Sequence, residues 1–184
     1  MLNSPAIERD APALYLRLIS RVSNAIDLAD DIIGRTVSWL TLVMVVVTCA
    51  VVVARYFFNA GSIALQESVM FMHGVVFMLG IGYTLKEQGH VRVDVLHERL
   101  SERTRTIIDM FGNLLFLLPV AIFIFWTSLD YVGFAWSVKE TSAQPGGLPG
   151  IYLLKTLIPL MAILLAAQGV SELLKGWIRL AGHD

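Results

Sequence analysis

Two chemically reactive side chains lie inside long apolar runs of the sequence. Cys49 falls within the first such run and His73 within the second. A haem site in a membrane anchor generally needs two axial ligands, and His73 has no second buried ionisable residue at helical spacing. One cysteine cannot form an internal disulfide. We therefore expect His73 to make a hydrogen bond to another helix rather than to bind a ligand.

Chemistry outside the apolar runs is equally sparse. His90 and His97 are seven residues apart in a loop without cysteine, which is weak evidence for a metal site. The sequence contains no Cys/His cluster, no glycine-rich phosphate loop and no nucleophile motif. We therefore predict that the chain is not an enzyme, and that it carries no catalytic, substrate-binding or metal site and no cofactor of its own.

The elements that would position these side chains are four apolar segments, which occupy most of the 184 residues. They predict membrane spans at about residues 36–54, 66–85, 108–130 and 150–172. Each is close to the ~20 residues that a helix needs to cross ~30 Å of hydrocarbon. The composition is 56% hydrophobic and the mean hydropathy is +0.68. The sequence therefore predicts one all-α integral membrane domain over residues 1–184, with no room for a soluble catalytic domain.

A further helix is predicted before the first span, at about residues 12–34. Its apolar residues recur at spacings of four, four, three and four, in the series Leu18, Val22, Ile26, Ala29 and Ile33. This period predicts an amphipathic arm that lies in the membrane interface. The alternative is a cytoplasmic extension of the first span.

The placement of Lys and Arg predicts the orientation. Eleven of the fourteen lie in the N-terminal segment, in the loop between spans two and three, or in the C-terminal tail. The other three are Arg55, Lys139 and Lys155. Cytoplasmic loops carry the excess of positive charge, so both termini are expected in the cytoplasm. Lys155 would lie near the outer interface, where either Glu67 or Glu140 could pair with it.

Proline and glycine add local expectations within the spans. Pro119 and Pro159 should kink the third and fourth spans, and Pro149 suits the first turn of the fourth. Gly74, Gly80 and Gly82 are small enough to let another helix approach the second span closely.

Elimination then favours an accessory role. A carrier that moves substrate alone usually shows inverted repeats, broken helices or charges at the membrane midplane, and no repeat relates the two halves of this sequence. The physical interpretation is a membrane scaffold or accessory subunit that packs against something larger.

Several segments resemble one known family, the small membrane subunits of tripartite ATP-independent periplasmic (TRAP) transporters. The resemblance covers nearly the whole chain, and the motif after span two is its most specific part. The similar segments are Arg55-Tyr56-Phe57-Phe58-Asn59, His90-Val91-Arg92-Val93-Asp94, Leu148-Pro149-Gly150-Ile151-Tyr152 and Ile158-Pro159. The sequence departs from the family at Gln66, which stands beside Glu67 where two acids are common, and it lacks the Trp often found before that pair.

The resemblance implies a division of labour in the bacterial inner membrane. A periplasmic binding protein would deliver an organic anion, and a large permease subunit would carry the substrate and sodium sites. The small subunit would pack on the scaffold of the large one. The stretch 137–154 resembles the branch associated with 2-oxo acids, mannitol or chloroaromatic compounds. Candidate contacts with a subunit or with lipid are Arg55, Glu67, His90, Arg92, Asp94, Lys139 and Lys155.

Two other classes of membrane protein stay open at the level of sequence. One is a haem- or quinone-binding anchor subunit of a redox enzyme, and the other is a small standalone channel or exporter. Neither these classes nor the TRAP family calls for a nucleic-acid partner.

Overall fold

A computed structural model describes residues 5–87 and 100–181, with side chains from residue 15 onward. The described elements are helices, and one isolated β-bridge joins Thr141 to Pro149. In chain order the helices are α1 (Pro5–Phe58), α2 (Ile63–Leu79), α3 (Ile81–Lys86), α4 (Glu102–Gly112), a π-helical turn (Asn113–Leu117), α5 (Leu118–Ser137) and α6 (Ile151–Ala181). The all-α prediction is therefore confirmed.

Three stretches of helix are long and apolar enough to cross a membrane by length and composition. They are residues 15–58 of α1, the run Glu102–Ser137 through α4 and α5, and α6. The remaining predicted span, the second in chain order, corresponds to α2, an apolar helix of 17 residues that α3 continues. Hydrogen bonds from Gly80 N to Val76 O and from Thr84 N to Gly80 O carry the helical ladder across the junction. Together α2 and α3 cover the second predicted span.

The predicted arm and the first span form one uninterrupted helix, because α1 runs from Pro5 to Phe58. The placement of residues 12–34 in the membrane interface stays a prediction. Part of the predicted apolar stripe points away from the bundle, as Leu18 and Val22 are each about half exposed. The polar residues divide between the two sides, because Arg17, Arg21 and Asn24 are exposed while Asp27 and Asp31 are half-buried. The buried positions of the helix, at helical spacing, are Ile19, Ser23, Asp30, Gly34 and Val37.

A left-handed residue ends α1. Asn59 has φ of 49°, and Ala60 N donates to Ala54 O at 3.0 Å. This is the arrangement by which asparagine or glycine terminates many helices. Ser62 then caps α2, since its hydroxyl accepts from Leu65 N. This short turn allows α2 to return along α1.

Helix α6 is the centre of the bundle, because it contacts every other described helix. Small residues let its neighbours approach. A Cβ built at Gly176 would lie 2.7 Å from Met110 Cγ, and one built at Gly169 would lie 2.5 Å from Leu117 Cδ2. On α5 the buried face is equally small, with Ala121, Ser128, Val132 and Ala135. Close approach between small residues is the usual basis of helix packing in membranes.

The close approaches predicted for the second span are found at two of the three glycines. Gly74 meets Leu154 of α6, and Gly82 meets the carboxylate of Asp30 on α1. Gly80 does not face another helix in this way, because a Cβ there would meet the carbonyl of Val76 in the preceding turn of α2. Gly80 therefore marks the junction between α2 and α3 rather than a contact between helices.

The prolines differ in their effects. The π-helical turn directly precedes Pro119, which cannot donate a backbone hydrogen bond, so the regular ladder is interrupted there. Pro159 is buried inside α6, which continues through it. The expectation for Pro149 was wrong. It pairs with Thr141 in the β-bridge, and α6 begins two residues later, after Gly150 with φ of 107°.

Candidate functional site

The loop between α5 and α6 is held against α2 by one carboxylate. Glu67 accepts a hydrogen bond from the Ser142 hydroxyl and another from Leu148 N at 2.6 Å. The loop also closes on itself, because Ser142 N donates to Leu148 O at 3.2 Å. A Cβ at Gly147 would lie 2.7 Å from Glu67 Oε2, so the loop backbone passes close to the carboxylate. Glu67 is therefore a structural anchor for the loop.

Lys155 pairs with Glu140, which decides between the two partners that the sequence left open. Its Nζ lies 2.5 Å from Glu140 Oε2, and the two side chains are 15% and 32% exposed. The same ammonium lies 4.0 Å from the centre of the Tyr131 ring. This half-buried cation thus joins α6 to the end of α5 and to the residue that begins the loop.

Lys139 and Arg55 present free charge at this end of the molecule. Lys139 is exposed and lies over the rings of Trp136, at 4.6 Å, and Tyr152, at 5.1 Å. The Trp136 indole donates to Thr156 Oγ1 at 2.8 Å, which fixes the ring below the ammonium. Arg55 is exposed at the end of α1 and has no ion-pair partner among the described residues.

A second polar network joins α1 to α6 at the opposite end of the bundle. Lys175 lies 2.8 Å from Asp27 and 2.7 Å from Glu172. Asp27 also accepts from Ser171 at 3.0 Å and from Gln168 at 3.3 Å. These residues, with Ser23, form what we call the inner network. It binds the predicted arm to the central helix through charge and hydrogen bonds rather than through apolar contact.

Helix α3 joins the same end through α1. Lys86 Nζ lies 2.5 Å from Asp31 Oδ1. The hydrogen bond to the Asp31 carboxylate raises the pKa of Lys86, so the ammonium stays charged at neutral pH. Asp30 is 3% exposed and packs on Gly82, and its Oδ2 has no hydrogen-bond partner among the described residues. On α1, Asp27 thus contacts α6, while Asp30 and Asp31 contact α3.

His73 does not reach another helix of this chain. It is exposed, and its ring lies 6.4 Å from that of Phe77. The hydrogen bond predicted for it has no acceptor or donor within the described ranges. Within those ranges there is also no group of three His, Cys, Asp or Glu side chains placed to hold a metal ion.

The predicted contact residues fall into three groups. Glu67, Lys139 and Lys155 are brought together around the loop between α5 and α6, whereas Arg55 stands apart at the end of α1. His90, Arg92 and Asp94 lie outside the described residues. The role of all seven in contacts with lipid or other subunits stays a prediction.

The inner network was missed from sequence. The signal was present as two polar series at helical spacing. One is Ser23 and Asp27 on α1, and the other is Gln168, Ser171, Glu172 and Lys175 on α6. Neither series contains a motif that indicates its partner, since almost 150 residues separate them.

Comparison with known families identifies the chain. The model of the DctQ component of tripartite ATP-independent periplasmic transporters matches residues 44–179. Comparisons with curated proteins and with solved structures gave no match. The matched range contains the α6 side of the inner network and the loop held by Glu67, while Asp27 and Asp31 precede it. It covers well over half of the 184 residues. The resemblance predicted from sequence is thus confirmed, and the chain belongs to the DctQ family of small membrane components of tripartite ATP-independent periplasmic transporters.

Proposed function

We propose that this chain packs on the scaffold of a large permease subunit and stabilises it in the bilayer. The supporting observation is the division of its surface. Ion pairs at the two ends hold its own helices together, as in Lys175–Asp27 and Lys155–Glu140. Between these ends, wide apolar faces of α1 and α5 stay exposed, including Trp39, Phe123 and Trp126. Such faces suit lipid and partner helices rather than an aqueous path.

The substrate and coupling-ion sites belong in the large subunit under this proposal. No Asp, Glu, Lys or Arg occurs within residues 36–54, 68–85, 110–129 or 156–171 of this chain. Buried charges of that kind mark ion and substrate pathways in membrane carriers. We propose sodium-driven uptake of an organic anion delivered by a periplasmic binding protein, with 2-oxo acids as the first substrates to test. The coupling sodium would bind in the large subunit.

The chain would lie in the bacterial inner membrane with both termini in the cytoplasm. In this orientation Arg55 and Lys139 face the periplasm, where they can contact the binding protein or anionic lipid. The loop with His90, Arg92 and Asp94 faces the cytoplasm. Attraction between its basic residues and lipid headgroups contributes about 1 kcal/mol per Lys or Arg.

Reconstitution with and without this chain tests the proposal. The large subunit is placed in liposomes with an inward sodium gradient, and uptake is measured in the presence of the binding protein and its anion. We expect uptake and stable large subunit only when both membrane chains are present. The proposal fails if the small chain, purified alone, is monodisperse and transports the anion by itself.

A further inference from the structure

One face of α2 carries polar side chains away from its own bundle. Gln66, Met70, His73 and Phe77 are all exposed and follow one another at spacings of four, three and four residues. They therefore share one side of the helix. Neither the Gln66 amide nor the His73 imidazole makes a side-chain hydrogen bond to any residue that the structure describes.

A groove of about 550 Å³ runs between this face and α1. Gln66, Met70 and His73 lie on one side of it, and Met44, Thr48 and Cys49 on the other. The Thr48 hydroxyl is satisfied within its own helix, because it donates to Met44 O at 2.7 Å. The unpaired polar groups of the groove are therefore those of α2.

His73 lies near the middle of the bilayer in this arrangement. It follows the first residue of α2, Ile63, by ten residues and precedes Lys86 by thirteen. At 1.5 Å per residue these stretches correspond to about 15 Å and about 20 Å of helix. A hydrocarbon core is ~30 Å thick, so water at either surface is out of reach for the imidazole.

An unpaired imidazole at that depth has a large cost in contact with lipid. Lipid tails offer no hydrogen bond, and polar side chains within spans usually face protein or a water-filled cavity. A neighbouring helix can supply the missing partner. The flexible methionines of the groove, Met44 and Met70, can also adapt to a partner's surface.

We infer that the groove between α1 and α2 is the seat of a transmembrane helix of the large subunit. That helix carries a hydroxyl, an amide or a free backbone carbonyl at the depth of His73, and His73 forms a hydrogen bond with it. The inference rests on the proposed function and adds to it the face of this chain that docks. It also assigns His73 to contact between subunits.

Photocrosslinking in the complex of both membrane chains tests the location. A photoreactive phenylalanine analogue is placed at Met70 in the groove or, as a control, at Phe123 on the exposed face of α5. We expect Met70 to give an adduct with the mass of this chain plus the large subunit. An adduct of two copies of this chain, or an adduct with lipid alone, would overturn the inference.

Replacing His73 tests the chemistry. His73→Leu should weaken association of the two membrane chains by roughly threefold to tenfold, the range for one hydrogen bond between membrane helices. His73→Gln keeps hydrogen-bonding capacity and should restore most of the affinity. If the face meets lipid, the leucine variant will associate equally well or better, which contradicts the inference. If the wild-type chains do not associate at all, the proposed function itself fails.

Discussion

At the residue scale, a few carboxylates determine how this chain is tied together. Glu67 lies on α2 yet receives hydrogen bonds from two residues of the loop between α5 and α6. Asp27 does the same at the other end, with donors from three residues of α6. Hydrogen bonds to charged groups are the stronger ones, so each carboxylate fixes a contact that apolar packing alone would leave loose.

The loop anchor gives a first prediction. Glu67→Gln replaces one accepting oxygen by an NH₂ group that faces a donor, so at least one of the two hydrogen bonds is lost. A loss of about 1.4 kcal/mol corresponds to a tenfold change in local opening. We expect the backbone amide of Leu148 to exchange hydrogen about tenfold faster, measured by mass spectrometry. Gln144→Ala is the control, because this exposed residue of the same loop makes no side-chain hydrogen bond to the part of the chain that the structure describes. Unchanged exchange at Leu148 would show that the carboxylate does not hold the loop.

The Lys155–Glu140 pair gives a second prediction. Each single replacement, Lys155→Met or Glu140→Gln, leaves a half-buried polar partner behind. We expect the two replacements to be non-additive in a double-mutant cycle, so that the double variant loses less thermal stability in detergent than the two single variants lose together. Lys139→Met serves as the control, because the exposed Lys139 contacts aromatic rings rather than a carboxylate. A coupling free energy near zero would show that the two side chains lie close together without stabilising the fold.

At the element scale, one face of α1 holds the neighbouring helices close. Gly34 and Gly82 let α1 and α3 approach each other. A Cβ at Gly34 would lie 2.6 Å from Tyr83 Cβ, and a Cβ at Gly82 would lie 2.6 Å from Asp30 Oδ1. The close approach also brings Asp31 within reach of Lys86. Small residues and charges thus act together along one interface.

Matched glycine replacements test this interface. Gly34→Ala forces the Tyr83 ring and its Cβ to move, which should lower stability by about 1–3 kcal/mol, as for other overpacked contacts. Gly133→Ala adds the same methyl group where no atom lies within 4 Å, so it should be neutral or stabilise by up to ~1 kcal/mol through helix propensity. Thermal unfolding of both variants in detergent provides the comparison. Equal melting temperatures would contradict the close contact.

At the scale of the whole molecule, charged groups lie at the two ends and a mostly apolar surface lies between them. The end with the loop between α5 and α6 carries Arg55 and Lys139, and the other end carries the inner network. In the proposed orientation, which rests on the positive-inside rule, the former end would face the periplasm. Two predictions concern this assignment.

Cysteine labelling tests the orientation. In a Cys49→Ser background, Gln144→Cys should react with a membrane-impermeant maleimide in cells with a permeabilised outer membrane. Asn24→Cys, at the opposite end, should react only after the inner membrane is disrupted. Both positions are exposed, so access to reagent is limited by the membrane alone. The reverse pattern would place both termini in the periplasm.

Charge reversal tests the proposed periplasmic contact. Arg55→Glu combined with Lys139→Glu removes the exposed positive charge at the outer end. Rim charges mainly affect the rate of association, so binding-protein docking should slow by roughly tenfold at low salt, measured by surface plasmon resonance. Arg17→Glu, at the inner end, is the control. Docking and transport that match the wild type would exclude a contact role for these two residues.

The sequence alone determined the membrane class, the approximate positions of the apolar helices and the family. These properties depend on local features, namely the length of apolar runs and short motifs in the loops, so no tertiary information is needed to see them. The second span illustrates the limit, because its extent was predicted while its division at Gly80 was not. Local composition does not reveal such an irregularity within an apolar helix.

Only the tertiary structure decided which residues meet. Helical period showed which side chains of α1 share a face, but not that Asp27 and Asp31 point inward onto α6 and α3 while Leu18 and Val22 point outward. Likewise, two acids were equally available to Lys155, and the fold selected Glu140 and gave Glu67 to the loop. Pairing between residues 15 to about 150 positions apart depends on how whole helices pack. The sequence does not indicate which of several opposite charges a given residue will meet.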